Sequence, residues 1–153
     1  MAIQLKVPTT KTFYFKIEPD ETNPNGKIAE VSVDEPHDLY VTFAQATTRD
    51  VEQRPGAYSK RAFSSEGERW LMYDETNVDF IARLEVRLTL RGCDIQLPND
   101  DYLEFDKNGV KSPQQFDSLW DILPPQWARE FHRCCLETNP NWNPKRELGG
   151  SSE

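Results

Sequence analysis

Apolar and polar residues alternate in three successive segments of the first third of the chain. In "KTFYFKI", Phe13, Phe15 and Ile17 alternate with Tyr14 and Lys16. "KIAEVSV" sets Ala29, Val31 and Val33 on one face, and "DLYVTF" does the same with Leu39, Val41 and Phe43. A period of two marks a half-buried strand, because successive side chains point to opposite faces of a sheet. The connections are rich in turn residues: "EPDETNPNG" ends in Asn-Gly, and "DEPHD" contains Pro36. The pattern predicts a three-stranded antiparallel meander with one apolar face, which other elements must cover.

The next stretch, "ATTRDVEQRPGAYSKRAF", is polar and arginine-rich. Thr47 or Thr48 fits the cap of a short helix that stops near Pro55-Gly56. Trp70 to Tyr73 are expected to pack. In "NVDFIARLEVRLTLRGC" two periods compete. Leu84, Val86, Leu88 and Leu90 alternate with Arg83, Glu85, Arg87 and Thr89 as a strand requires, yet Phe80, Ile81, Leu84 and Leu88 line one helical face. Asn77 fits an N-cap, Asp79 the first turn, Arg91 the last turn and Gly92 the C′ position. These end signals favour a helix over the whole segment.

Further on, Ser112-Pro113-Gln114-Gln115 reads as a capping box with proline at the first helical position. It opens a short helix carrying Phe116, Leu119 and Trp120. "LPP" breaks that helix, and Pro125 begins another. Along it Trp127, Ala128, Phe131, Cys134 and Cys135 form one apolar stripe, and Asn139-Pro140 ends it. The expected architecture is α+β: an N-terminal three-stranded meander packed by C-terminal helices. Residues 1–144 form a single domain and 145–153 a flexible tail, with no internal repeat and no dividing linker.

The 153-residue length suits one core. Hydrophobic residues make up 37% and aromatics 11%, so the apolar material is concentrated in large rings. A formal charge of −8 is unlike the basic footprint of a nonspecific nucleic-acid or acidic-membrane binder. "MAIQLKVPTTK" lacks the apolar run of a signal peptide, and no stretch approaches the roughly 20 apolar residues of a membrane span. Three cysteines, Cys93, Cys134 and Cys135, make no even, spaced framework. The expectation is a reduced, cytoplasmic protein with free thiols, binding neither nucleic acid nor membrane. A bond between vicinal Cys134 and Cys135 would close a strained ring.

The candidate chemistry is sparse. His132, Cys134 and Cys135 occupy nearly consecutive helical positions about 100° apart, which does not converge on a tetrahedral metal. The cysteines read better as small buried hydrophobes. Glu104, Asp106, Asn108 and Gly109 match the start of a calcium loop, but position 12 is the neutral Gln115. A β-turn at Asp106–Gly109 explains the same letters. Arg83, Arg87 and Arg91 make a ridge on a helix. It can grip a phosphate or an acidic partner, or it can be a solvated face paired with Asp100, Asp101 and Glu104. There is no G-x-S-x-G, no glycine-rich phosphate loop and no H-E-x-x-H, so no catalytic residue, metal or cofactor is expected.

The tryptophans remain. Trp120, Trp127 and Trp142 cluster around the two proline-broken helices, and large aromatics dominate both cores and interfaces. Trp127 and Phe131 are expected to cover the sheet. Trp142, in "NPNWNP", is the candidate for an outside contact.

"ATTRDVEQRPGAYSKR", "ARLEVRLTLRGCDI" and "FDSLWDILPPQWAREFHRCCLETNPNW" together resemble small tail-assembly (tail-chaperone-like) proteins of tailed bacteriophages, over about residues 38–144. Many members of such families are mostly helical, and the N-terminal strands here depart from that. The resemblance implies a non-enzymatic assembly factor that holds a tape-measure or tail-tube subunit, often as a homo-oligomer, in the host cytoplasm. Its contacts would be the apolar helix faces of Trp120, Trp127, Phe131 and Trp142, with Arg83, Arg87 and Arg91 beside them. Two other readings stay open. One is an acidic inhibitory module covering a host enzyme's basic site, and the other is a structural protein of the virion.

Overall fold

The computed structural model describes residues 2–53 and 81–142. The expectations for Trp70 to Tyr73, for the Asn77 cap with Asp79 and Phe80, and for a tail at 145–153 lie outside them.

Strands β1 (Thr10–Asp20), β2 (Asn23–Ser32) and β3 (Leu39–Ala44) form where the alternation predicts them. The sheet is antiparallel, but it has four strands in the order β2-β1-β3-β4, with β4 at Leu90–Cys93. β1, not β2, is central: it pairs with β2 on one side and β3 on the other. A meander would put β2 in the middle. Here β1 and β3 each take two neighbours, and β1 buries Phe13 and Phe15 fully.

The hairpin turn is at Glu21-Thr22, where Asp20 Oδ1 accepts from the Thr22 amide at 3.0 Å. The Asn-Gly pair is drawn into β2 instead. Gly26 has φ +84°, and a Cβ there would stand 2.6 Å from the Glu18 carbonyl oxygen, so the irregular register around it requires glycine. A second irregularity corrects the expected inward face of β2. Phe15 pairs with Val31 and Ile17 with Ile28, leaving Ala29 as the extra residue of a bulge. Ile28 therefore joins Val31 on the inner side and is buried, while Ala29 and Val33 are exposed.

After β3 comes α1 (Thr48–Gln53). Thr47 caps it reciprocally with Asp50: the Asp50 amide donates to Thr47 Oγ1 at 3.4 Å, and the Thr47 amide to Asp50 Oδ2 at 3.0 Å. The contested segment uses both of its periods in turn. It is helical over 81–89, here α2, and then becomes β4. Arg91 and Gly92 accordingly lie in a strand, not in the last turn and C′ position of a helix. The open edge of β3 supplies the reason. Val41, Thr42 and Phe43 pair with Cys93, Gly92 and Leu90, hydrogen-bonding a row of backbone groups that a further helical turn would leave unpaired.

A small hairpin, β5 (Phe105–Asp106) and β6 (Gly109–Val110), follows at the predicted turn. α3 (Pro113–Ile122) starts at Ser112, whose hydroxyl accepts from the Gln115 amide at 3.2 Å. Only half of the capping box is built. The Gln115 side chain instead binds the Glu104 amide at 2.8 Å and the Tyr102 carbonyl at 3.2 Å, tying the preceding loop to the helix.

α4 (Pro125–Thr138) lies across the inner face of the sheet, with Phe131 and Phe15 ring centroids 5.5 Å apart. Phe13, Phe43, Val41 and Leu90 fill the same core beside Phe116, Leu119, Cys134 and Cys135. Burying each large apolar side chain contributes about 1.5–3 kcal/mol. Asn139 ends α4 and anchors it. Its Oδ1 accepts from the Ala46 amide at 2.7 Å, and its Nδ2 donates to the Ala44 carbonyl at 3.1 Å. The other sheet face carries Tyr14, Lys16, Tyr40 and Thr42, none of them buried.

Candidate functional site

The residues expected to dock a partner from the C-terminal helices are largely spent on the protein's own interior. Phe131 is buried against the sheet, as its place in the stripe predicts. Trp142 is not an outside contact: a short 3₁₀ turn at Pro140–Trp142 folds it back, and it is 5% exposed. Trp120 is half-buried and stacks on Phe116, with centroids 5.7 Å apart. Trp127 is half-buried too, and its Nε1 donates to the Gly26 carbonyl at 3.0 Å.

Gln126, one residue earlier, completes that contact. Its Oε1 accepts from the Ile28 amide at 2.9 Å and its Nε2 donates to the Ile28 carbonyl at 2.8 Å. The start of α4 thus stands in for a neighbouring strand along the outer edge of β2. The opposite edge is covered as well. The β5–β6 hairpin lies on β4 so closely that a Cβ on Gly109 would come within 2.9 Å of the Leu90 carbonyl oxygen. Each edge of the sheet is thus covered in part against a further strand.

The cysteine and histidine cluster resolves into packing. Cys134 and Cys135 are buried, and Cys135 Sγ lies 3.3 Å from Thr89 Oγ1. Burial pushes the Cys134 thiol far up, with Arg133 opposing it and Glu137 and Glu130 adding to it. Burial likewise pushes Cys93 up to about 11. Protonated thiols are poor nucleophiles and poor metal ligands. His132 turns away from them, its Nε2 2.8 Å from Glu85 Oε1. Glu85 is 1% exposed, although the alternation placed it among solvent-facing polar residues. The polar surroundings of α2 and α4 come from different parts of the chain, so no local pattern announces this pair. Among the described residues no group of three or more His, Cys, Asp or Glu could hold a metal ion.

The three arginines do not form one ridge. Arg83 reaches α3, with Nη2 2.6 Å from Asp121 and Nη1 3.6 Å from Asp117. Arg91 leaves the helix for β4, donates to the Leu88 carbonyl at 2.8 Å and is ion-paired with Asp50 at 3.6 Å. Arg87 remains on α2, beside a surface cleft that it shares with Arg49. None of the three is ion-paired with Asp100, Asp101 or Glu104, and Glu104 pairs with Lys111 at 3.4 Å.

Among the described residues, the most exposed large apolar side chains lie elsewhere. Residues 2–9 run free of helix or strand up to β1, and Ile3, Leu5 and Val7 are 92%, 92% and 88% exposed. They alternate with Gln4 and Lys6, so the apolar period of β1 continues upstream with its apolar side chains left exposed. That alternation is visible in the sequence, but its lack of cover is not. The arm is held at its root, where the Gln45 amide donates to the Thr9 carbonyl at 2.9 Å. No helix among the described residues is long and apolar enough to cross a membrane. No protein-family model, no curated protein and no solved structure matches the chain.

Proposed function

We propose that the protein is a non-enzymatic assembly factor that holds another protein through its N-terminal arm. In the setting suggested by the resemblance to phage tail-assembly proteins, that partner is a tape-measure or tail-tube subunit in the host cytoplasm. The observation that carries this reading is the bare apolar series Ile3, Leu5 and Val7 at the head of β1. An extended segment with alternating apolar side chains has two unmet needs, a surface for one face and partners for its backbone. A β-strand edge supplies both. The protein's own edges are occupied by Gln126 and by the β5–β6 hairpin, which favours an edge on a different protein. Lys6 lies within the series, Lys11 follows it, and no acidic residue precedes Glu18, so the matching edge is apolar with acidic neighbours.

The test is co-expression with individual tail subunits and capture through a tag at the C-terminal end of the chain. One tail subunit should be retained by the intact protein and released by Leu5→Asp. Retention of no tail subunit, or retention indifferent to Leu5→Asp, rejects the proposal. A second reading rests on the formal charge of −8: an inhibitory module covering a basic site of a host enzyme. Capture of a host enzyme that fades with added salt would favour it, because long-range charge contacts are screened.

A further inference from the structure

A cleft opens where α1, the end of α2 and the β5–β6 hairpin meet, and it has two lobes. One, of about 220 Å³, is lined by Arg49, Arg87, Leu88 and Lys111. The other, of about 330 Å³, is lined by Val7, Pro8, Ala44, Arg91 and Lys107. Arg49, Asp50, Asp106 and Asn108 border both, so the lobes adjoin.

Five cationic side chains therefore face this cleft against two carboxylates, on a chain whose formal charge is −8. Both carboxylates are already engaged. Asp50 is held by the Thr47 amide at 3.0 Å and by Arg91 at 3.6 Å, and Asp106 accepts from the Asn108 amide at 2.7 Å. Glu104 offsets Lys111 from outside the lining. The local excess is then two positive charges, five cations against three carboxylates. Among the described residues neither Arg49 nor Arg87 is ion-paired.

Arg91 forms the floor. A Cβ on Gly109 would come within 2.6 Å of Arg91 Nη1, so the hairpin closes directly onto its guanidinium. Burial lowers the Arg91 pKa, Asp50 and Asp106 push it back up, and Arg49 lowers it again as a near like charge. Arginine stays charged throughout, so Arg49 and Arg91 are cations held together by the fold.

We propose that this cleft binds a phosphate monoester with a small apolar body. Arg49 and Arg87, neither ion-paired among the described residues, offer two planar forks, which suit a phosphate's oxygens. The excess of two positive charges matches the dianion. The lobe bordered by Val7, Pro8 and Ala44 gives an apolar substituent somewhere to lie. A simple carboxylate would use one fork and leave the second charge unmet.

The experiment is a calorimetric titration of the full chain at low salt with phenyl phosphate, inorganic phosphate and phenol. Phenyl phosphate should bind saturably, inorganic phosphate more weakly and phenol not at all. Arg49→Ala and Arg87→Ala should each weaken phenyl phosphate by about tenfold or more, the loss of a charge-assisted hydrogen bond. Lys27→Ala, on the far edge strand β2, should leave it unchanged. Arg87→Lys keeps the charge but not the fork, so it should fold normally and still bind less tightly. The absence of saturable binding by either phosphate overturns the proposal. So does equal weakening by Lys27→Ala and Arg87→Ala, which would mean diffuse attraction without a site. Inorganic phosphate binding as tightly as phenyl phosphate overturns the role given to the apolar lobe.

Discussion

The apolar stripe of α4 and the apolar series of the N-terminal arm are patterned equally well, yet one is the centre of the core and the other stands in water. Phe131 is 1% exposed, whereas Leu5 is 92% exposed. The difference lies at their ends. α4 is fixed at its start by Gln126 and Trp127 on the backbone of β2, and at its finish by Asn139 on Ala44 and Ala46. Among the described residues the arm has one backbone bond, at its root. Periodicity identifies a face that wants cover. Polar groups at the termini of the element decide whether the same chain provides it.

If α4 is the covered member of this pair, its central ring should be the most costly to remove. Phe131→Ala should destabilise the fold by about 3–5 kcal/mol in urea denaturation, since it empties a site packed on Phe15. A loss below about 1 kcal/mol would mean that the helix is not seated as described. The anchor comes next. Asn139→Ala removes the acceptor for the Ala46 amide and the donor to the Ala44 carbonyl, both in a buried setting. It should cost about 1–3 kcal/mol. Asn139→Leu, which fills the space but makes no bonds, should not restore the loss.

The thiols beneath α4 offer a test that uses pH. Burial raises the Cys93 pKa to about 11 and moves Cys134 in the same direction. The native state therefore keeps protons that the unfolded chain releases from about pH 8.5 upward. The native state binds more protons in this window, so stability is intact below it and falls as pH rises toward 11. The loss should be about 1.4 kcal/mol per pH unit for each thiol once the unfolded thiols ionise. At pH 8 a thiol reagent should label the three cysteines only as fast as the protein opens. Immediate labelling of the folded protein would place them at the surface.

Phe13, Phe15, Val41 and Phe43 faced inward as their alternation required, and Ser112, Pro125 and Asn139 marked real helix ends, because these signals act within a few residues. The strand order was hidden, because antiparallel alternation does not say which strand is central. The bulge at Ala29 was hidden for a related reason, since only pairing with Ile17 and Phe15 reveals the extra residue. The segment 77–92 carried two periods, and the described residues use one over 81–89 and the other from Leu90. Glu85 with His132, and the cleft of Arg49 and Arg87, depend on pieces far apart in sequence, so neither leaves a local motif.

The smallest expected effect is the most informative about the arm. Leu5→Asp should change folding stability by no more than about 0.5 kcal/mol, the ordinary range for a surface position that makes no contact. The same substitution should abolish capture of the partner, because a charge in the middle of the apolar series has to be desolvated against the partner's edge. Stability and binding then separate cleanly: Phe131→Ala lowers both in proportion to the unfolded fraction, while Leu5→Asp removes binding from a fully folded protein. A destabilisation of about 2 kcal/mol or more from Leu5→Asp would show that the arm packs on the protein's own body. Its exposure would then be no invitation to a partner, and the contrast between the two apolar segments would vanish.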